Sequence, residues 1–480
     1  MNLAKLKTTI TLIMVFLISS LSYSQKDVKS VFFNKLKNKY MFANDIKKYT
    51  VTYKFKSVNP WQSYDYKKPE DKNNGYGIYT IEIDSDKKVY FTHDRSQFPG
   101  NFVFEFKHFK NNKKAIFYDV NGVISGKKLR NLRKNAFENE KKRAGEVLSF
   151  VKVEDLLSGH KRGDDIKMKV NNNNTLVTII HTTNEKIINT YTFDIKSLKL
   201  VTLKSTEDDS VVNYKNYVTE NGIEYAKDLT IYKSKKLNAK VSIENFEKTI
   251  GISDSKFAVP FGYKLPLTKQ TISSKITQIT NNIYLINTTN NSRFILLKII
   301  DDQIMVFGAP LSDKISNKVI GLIEDKFPAK SIKYVFVSHP HNDHIGGLVP
   351  YVKNGATVIA DDYTVEAIKI FPNFKETINL FRFKTIKNRQ IIDGVRFYVL
   401  ENEHSLKQSF AYLSDEEIIY EGDFLEVPAD NSIPSHISNV EKQFIEFVRE
   451  ERLKIKRIVQ HHRNSNVTVD VMNKYYDMNL

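Results

Sequence analysis

The sequence His339-Pro340-His341-Asn342-Asp343-His344 places three histidines and one aspartate within six residues. It follows Tyr334 to Val337, an apolar run that is typical of a buried strand. Pro340 should keep the backbone extended, so that side chains two residues apart point the same way and two imidazoles can bind one cation. Without a cation, these polar groups would be left without partners at a cost in free energy. The stretch therefore predicts a metal site at the carboxyl end of a strand.

The order and surroundings of these residues resemble a known family. The run His339-x-His341-x-Asp343-His344 follows an apolar strand, precedes Gly346-Gly347 and resembles the metal-binding motif of the metallo-β-lactamase fold superfamily. The resemblance extends over most of residues 276–461. Further along the chain, three residues match the later ligand positions of that family: His404, Asp423 and His461.

The resemblance implies a centre with two metal ions. The first ion is expected to bind His339, His341 and His404. The second is expected to bind Asp343, His344 and His461, with Asp423 as the bridging ligand and His462 as the alternative to His461. Nitrogen and oxygen ligands without sulfur suit two zinc ions, and iron or manganese are the alternatives. Asp343 is also the expected catalytic residue, which orients the nucleophile or passes a proton.

The function that the resemblance implies is that of an exported metal-dependent hydrolase. A metal-bridged hydroxide would cleave an ester, thioester, lactone or amide bond of a small-molecule substrate. One alternative is a phosphodiesterase of the same fold. Another is a non-catalytic envelope protein that binds a lipid or polymer and has a vestigial metal site. Gly308 keeps this last alternative open, because many relatives have a supporting aspartate there, and losing such support lowers metal affinity or activity roughly 10- to 100-fold.

The length of 480 residues predicts more than one domain, since single cores stop growing near about 250–300 residues. We predict a signal peptide at 1–24, a β-rich N-terminal domain at 25–265, a linker at 266–275 and a metallo-β-lactamase-fold domain at 276–480. Short runs of β-branched and aromatic residues predict the strands of the first domain. The overall class is α+β. For the second domain, the resemblance implies an αββα sandwich, in which two mixed sheets pack face to face with helices outside.

The first 24 residues have the pattern of an export signal. Lys5 and Lys7 precede the apolar stretch Ile10 to Leu21, and Ser22-Tyr23-Ser24 forms a small-x-small cleavage site. The apolar stretch is shorter than the roughly 20 residues that span a bilayer, so no transmembrane segment is expected after signal removal. With no cysteine, the chain can form no disulfide. We therefore expect a periplasmic or secreted protein.

The net charge of +18 could indicate a nucleic-acid partner, but its lysines are scattered along the chain. The one dense basic run, Lys127 to Arg143, also contains Glu138 and Glu140, which favours a solvated helix face. No nucleic-acid partner is therefore expected. The segment Asp254 to Tyr263 resembles the closing segment of exported open-sheet domains that hold lipids, which suggests an apolar ligand for the N-terminal domain.

Overall fold

The structure is a computed structural model that describes residues 28–71, 74–264, 274–288 and 293–479. These residues form two compact units, each discontinuous in sequence. Unit 1 is Met1–Phe55, Thr80–Tyr90 and Asn135–Ser253, and unit 2 is Lys56–Tyr79, Phe91–Lys134 and Asp254–Leu480. This division differs from the predicted linear order of domains, because two segments of the N-terminal half cluster with the C-terminal half. The predicted signal peptide and most of the predicted linker lie outside the described residues.

The first half of the chain is rich in strands. Its helices are α1 (residues 28–40), α2 (Ala136–Val147) and α3 (Ser149–Arg162). Its strands are β1 (Lys48–Ser57), β2 (Tyr76–Asp84), β3 (Val89–Phe98), β4 (Phe102–Lys110), β5 (Ala115–Asp119), β6 (Leu129–Asn131), β7 (Asp165–Val170), β8 (Leu176–Thr182), β9 (Ile188–Asp194), β10 (Leu200–Ser205), β11 (Ser210–Glu220), β12 (Ile223–Lys233) and β13 (Lys236–Lys248).

The second half alternates strands with helices. Its strands are β14 (Lys275–Gln278), β15 (Ile283–Asn287), β16 (Phe294–Ile300), β17 (Gln303–Phe307), β18 (Ser331–Phe336), β19 (Thr357–Asp361), β20 (Arg382–Ile386), β21 (Gln390–Ile392), β22 (Val395–Leu400), β23 (Gln408–Leu413), β24 (Ile418–Glu421) and β25 (Arg457–Gln460). Its helices are α4 (Asp313–Lys326), α5 (Asn342–Ile345), α6 (Leu348–Lys353), α7 (Asp362–Ile370), α8 (Asn439–Glu450) and α9 (Val469–Asp477).

Unit 1 is an antiparallel sheet with helices. Its strand order is β1-β13-β12-β11-β10-β9-β8-β7, so most neighbours along the chain are also neighbours in the sheet. Helix α3 buries Phe150, Val153 and Leu156, whose spacing places them on one face. The ring of Phe150 packs 5.4 Å from that of Phe246 on β13. The helix ends at Gly163, whose left-handed backbone (φ +83°) is one that glycine adopts without strain.

Unit 2 contains two mixed sheets besides the β4–β6 hairpins. The first has the order β14 to β20 and changes from antiparallel to parallel pairing at β17 and β18. The second has the order β21 to β25, and only its last pair, β24 with β25, is parallel. Ser438 and Glu441 form a capping box at the start of α8.

Three large apolar clusters stabilise the described part of unit 2. One contains residues of both sheets, such as Phe336 of β18 and Phe397 of β22, whose rings are 5.1 Å apart. A second joins the first sheet to residues of α4, α6 and α7, and a third joins the second sheet to α8 and α9. The predicted mixture of strands and helices is thus confirmed. No helix among the described residues is long and apolar enough to cross a membrane.

The basic run at Lys127 to Arg143 is only partly a helix. Leu129–Asn131 is strand β6, in which Leu129 pairs with Tyr118 of β5, and the helix begins at Ala136. The prediction of a helix face was therefore wrong for the first half of the run, residues 127–135. Pairing with a neighbouring strand outweighs the local helix propensity of Leu129 and Arg130 there.

Candidate metal centre

The predicted ligands lie just beyond the carboxyl ends of strands in unit 2. Strand β18 ends at Phe336, and His339 and His341 follow it directly before α5, which carries Asp343 and His344. His404 follows β22, Asp423 follows β24 and His461 follows β25. Asp423 has a left-handed backbone (φ +63°), a strained conformation for a residue other than glycine. Rigid strands therefore carry each side chain to the site.

The first group of ligands is compact. One potential ligand atom from each of His339, His341, His404 and Asp423 lies within 4.8 Å of the others. Oδ2 of Asp423 is 3.3 Å from Nε2 of His404 and 3.6 Å from Nε2 of His339. The structure thus brings together the three histidines predicted for the first ion, with Asp423 beside them.

The second group contains both candidates for the last ligand. One nitrogen from each of His344, His461 and His462 lies within 4.8 Å of the others. Asp423 also reaches this group, since its Oδ2 is 3.2 Å from Nε2 of His344 and its Oδ1 is 2.9 Å from Nε2 of His462. Asp423 therefore lies between the two groups, where a bridging ligand has to lie.

Asp343 lies at the edge of the second group. Its Oδ2 is 3.4 Å from Nε2 of His462 and 3.1 Å from the guanidinium of Arg293. Its Oδ1 accepts a hydrogen bond of 2.8 Å from Nε2 of Gln62. The carboxylate is thus held on both oxygens by neighbouring donors, which fixes its direction.

The ring nitrogens that face away from the site bond to oxygen atoms. Nδ1 of His339 is 3.0 Å from Oγ of Ser338, and Nδ1 of His461 is 2.8 Å from the hydroxyl of Tyr420. Two further contacts use backbone carbonyls: Nε2 of His341 with Ser63 at 3.1 Å, and Nδ1 of His404 with Pro99 at 3.3 Å. Oxygen partners of this kind set the tautomer and orientation of a metal-binding histidine, so that its other nitrogen is free to bind the ion.

Gln62, Ser63 and Pro99 come from the N-terminal half of the chain. Gln62 ends a 3-10 helix, Pro60–Gln62, whose start is capped by the side chain of Asn59. Pro99 begins a similar turn, Pro99–Asn101. The sequence gives no local signal for these contacts. The Ser338 contact was open to prediction, because a serine precedes the first ligand histidine.

The donor atoms fit a cation. Nε2 atoms of His339, His404 and His461 are buried and have no hydrogen-bond partner among the described residues. A buried polar nitrogen without a partner costs about 1–3 kcal/mol, and three so close together are rare in folded proteins. Two ions with nitrogen and oxygen ligands, one at each group, would satisfy all three, and this donor set suits zinc.

The electrostatics of the site also favour metal binding. Burial lowers the pKa of His341 to about 3 and lowers those of His339 and His461 well below the ordinary value. These imidazoles are thus neutral, which is the form that binds metal. Burial alone would raise the pKa of Asp423, but the nearby His462 and His344 lower it well below its usual range. The carboxylate is therefore ionised.

The remaining histidines of the described chain lie outside both groups. The sequence predicts that His93, His108, His160 and His181 are isolated from any catalytic cluster. Three of them face one carboxylate each: His93 with Glu105, His108 with Asp94 and His181 with Asp164. The ring of His160 stacks on that of Phe33 at 4.0 Å. Each of these pairs offers fewer ligand atoms than a protein metal site normally uses.

Comparison with known proteins agrees with the motif. Residues 307–363, which contain the stretch from His339 to His344, match the family model described as the Metallo-beta-lactamase superfamily. The resemblance to this superfamily is thereby confirmed. No curated protein matches the chain significantly.

Solved structures of metallo-beta-lactamases are also similar to part of the chain. VMB-1 is 17% identical, with a TM-score of 0.34, over 44% of this chain and 97% of that one. The metallo-beta-lactamase from Hirschia baltica is 12% identical, with a TM-score of 0.33, over 43% of this chain and 97% of that one. The mono-zinc form of FIM-1 from Pseudomonas aeruginosa is 12% identical, with a TM-score of 0.33, over 44% of this chain and 96% of that one.

Proposed function

We propose that this chain, whose residues 307–363 belong to the metallo-beta-lactamase superfamily, is a metal-dependent hydrolase with a two-metal centre. The observation that carries the proposal is the convergence of two ligand groups on Asp423, which lies within 3.3 Å of His344, His404 and His462. The two groups would hold two metal ions close together, and pairs of this kind activate water for hydrolysis. Zinc is the expected metal.

We further infer an αββα arrangement for the metal-binding part of unit 2. The three large apolar clusters support this arrangement. One lies between the first sheet and helices α4, α6 and α7, the next lies between the two sheets, and the third lies between the second sheet and helices α8 and α9. In such a layered fold the carboxyl ends of the central strands open onto one edge. The ligands lie at strand ends of this kind.

The chemistry expected at the centre is attack by water on a carbonyl carbon. Bound ions would supply a nucleophilic water at neutral pH and stabilise negative charge on the substrate oxygen. Asp343 remains ionised, because His344 and His462 lower its pKa although burial alone would raise it. Held by Gln62 and Arg293, it is placed to orient the attacking water or to accept its proton. We propose an ester, thioester, lactone or amide as the substrate.

Export to the periplasm or the medium belongs to the same proposal. Its support is the basic start, apolar stretch and small-residue cleavage pattern at residues 1–24. Mass spectrometry of the mature protein would test it, with Gln25 as the expected first residue. A mature protein that retains Met1 would contradict it.

Metal analysis of the purified protein tests the hydrolase proposal. We expect two bound ions and turnover of at least one substrate in a panel of esters, thioesters, lactones, amides, β-lactams and phosphodiesters. His341→Ala and Asp423→Ala should lose both metal and turnover. His436→Ala is the matched control, because the ring of this histidine bonds to the carbonyl of Asn101 at 2.8 Å and lies outside both ligand groups.

The panel also separates the alternatives. Turnover of phosphodiesters alone would replace the proposed reaction by phosphodiester cleavage. A protein that binds no metal and cleaves none of the substrates would contradict the hydrolase proposal as a whole.

A cavity in unit 1 favours a second candidate function, the binding of an amphiphile. The cavity has a volume of about 470 Å³ and lies between α1 and strands β7 and β8. Apolar side chains line it, among them Val31, Phe32, Met168 and Val177, and Lys35 is the cation beside them. An apolar pocket of this size with one charged group suits an acyl chain with an anionic head.

Displacement of a fluorescent fatty-acid analogue tests this second function. Val31→Asp places a charge in the cavity and should abolish binding. Ile188→Asp is the control, because Ile188 is about as exposed as Val31 and lies on β9, next to β8, but does not line the cavity. Equal binding by the wild type and Val31→Asp would contradict the candidate function.

A further inference from the structure

Gly308 follows strand β17 and lies against two side chains of the metal centre. Its backbone has a φ of +103°, which favours glycine. A Cβ atom at this position would lie 2.3 Å from the hydroxyl oxygen of Tyr420 and 2.9 Å from Nδ1 of His461. Both distances are shorter than any ordinary van der Waals contact. Only glycine therefore leaves room for the Tyr420 hydroxyl beside His461.

The Tyr420 hydroxyl bonds to two partners. It donates its single proton to the carbonyl oxygen of Phe294, 3.2 Å away, which can only accept. The 2.8 Å contact with Nδ1 of His461 must then use a lone pair of the hydroxyl, so Nδ1 carries the proton. A neutral imidazole has one proton. Nε2 of His461 is consequently left with a free lone pair.

Backbone hydrogen bonds also fix the positions of Phe294 and His461. The amide of Phe294 donates to the carbonyl oxygen of His461 at 2.9 Å, and the amide of His461 donates to the carbonyl oxygen of Glu421 at 2.7 Å. Tyr420 and His461 are both fully buried. The ring of His461 therefore has a fixed direction, and its free Nε2 faces the second ligand group.

We propose that Tyr420 is the positioning residue of the second metal position: its hydroxyl sets the tautomer and direction of His461, and Gly308 provides the space for it. This inference rests on the proposed function, because it assigns a role within the proposed metal centre. Many relatives have an aspartate at the position of Gly308 that supports the metal ligands. In this chain, Tyr420 of strand β24 supplies that support instead. The site need not be vestigial for lack of an acidic residue at position 308.

The first experiment measures metal affinity by competition with a chelator, without any substrate. Tyr420→Phe removes the hydroxyl and keeps the ring, and we expect it to weaken binding of the second ion roughly 10- to 100-fold while leaving the first ion unchanged. Tyr412→Phe is the matched control. It removes a hydroxyl of the neighbouring strand that also donates to a backbone carbonyl, that of Lys454 at 2.9 Å, away from the ligands.

The second experiment observes the tautomer directly in the metal-free protein. Long-range nitrogen–proton NMR spectra of the ¹⁵N-histidine-labelled chain should show His461 protonated at Nδ1, with the signal assigned by its loss in His461→Gln. Tyr420→Phe should shift this ring towards the Nε2-protonated form, and Tyr412→Phe should not. A structural role alone would not change the tautomer.

The inference is overturned if Tyr420→Phe keeps both the wild-type tautomer of His461 and the wild-type affinity for the second ion. It is also overturned if Tyr412→Phe causes an equal loss. These outcomes are distinct from failure of the proposed function, in which the wild type binds metal as expected but cleaves no substrate. If the wild type binds no metal, the NMR experiment alone decides the role of Tyr420.

Discussion

The side-chain amide of Gln62 donates a hydrogen bond of 2.8 Å to Asp343 across 281 residues of sequence. The same nitrogen is 2.6 Å from the side-chain oxygen of Asn342. Gln62 lies in the short 3-10 helix Pro60–Gln62, and Asp343 lies in α5, which contains the last residues of the histidine motif. The predicted catalytic carboxylate is therefore oriented by a segment from the other half of the chain.

We expect Gln62→Ala to lower kcat roughly 10-fold, because Asp343 loses the donor to Oδ1 and is then held only through its other oxygen, by Arg293 and the nearby His462. Metal content should not change. Steady-state kinetics with the substrate found in the panel provide the measurement. Gln443→Ala is the control, since its amide bonds to the carbonyl oxygen of Glu401 on the surface. Equal kcat values for both variants and the wild type would contradict the role of Gln62.

Gly100 is expected to be intolerant of a side chain, since a Cβ there would lie 2.4 Å from Val440 and 3.2 Å from the amide nitrogen of His404. Gly100→Ala should reduce the free energy of unfolding by about 1–3 kcal/mol more than Gly122→Ala. Gly122 has a similar backbone (φ +75° against +81°), but its nearest neighbour is 3.7 Å away. Urea denaturation of both variants measures the difference, and equal losses would show that backbone strain alone is responsible.

The two adjacent histidines at the end of β25 should differ in importance. His461 has one nitrogen bonded to Tyr420 and the other buried without a partner, whereas Nε2 of His462 already lies 3.0 Å from Nε2 of His344. We expect His461→Ala to lose the second ion after dialysis and His462→Ala to retain it in part. Metal content per chain is the measurement. The reverse order would make His462 the main ligand.

Glu441 should make the stability of the metal-free protein depend on pH. Burial raises the pKa of Glu441 to about 7, against an ordinary value near 4.5. The stabilisation that protonated Glu441 contributes to the folded state is fully present below about pH 4.5 and is lost as the pH rises to about 7. The reason is that the folded protein holds this proton more tightly than the unfolded chain does, so that releasing it costs free energy.

Glu441→Gln cannot ionise, so its stability relative to the wild type should rise between pH 5 and pH 8, by up to about 3 kcal/mol. Urea denaturation at several pH values gives the difference. Glu450→Gln is the control, because Glu450 is exposed on the same helix. A difference between Glu441→Gln and the wild type that stays constant with pH would contradict the prediction.

Much of the candidate site could be predicted from the sequence, because its residues follow recognisable strands. His404, Asp423 and His461 each come shortly after the end of a strand, and strand ends meet at one edge of a layered fold. The exception is the choice between His461 and His462, since adjacent residues differ only in the direction of their side chains. That direction depends on Tyr420, which in the sequence is simply an aromatic residue of a strand.

The contributions of the N-terminal half could not be predicted. Ser63 and Pro99 contribute backbone oxygens, which every residue has, so their identities carry no signal. The same holds for the discontinuous units, because sequence order favours one boundary between consecutive domains. The strands of the N-terminal half were predictable as strands, whereas the unit that each of them joins is determined by contacts distant in sequence.

The carbonyl oxygen of Pro99 accepts from His404 across 305 residues, and this separation has a consequence for folding. At about 5–20 residues per second, a ribosome needs roughly 15–60 s to make the chain between these two residues. During that time, the segments around Ser63 and Pro99 lack their final partners. Contacts so distant in sequence form slowly, because the intervening chain must first be brought together. We therefore expect the candidate metal centre to close late in folding, so that its histidines come together only after most of the chain has been made.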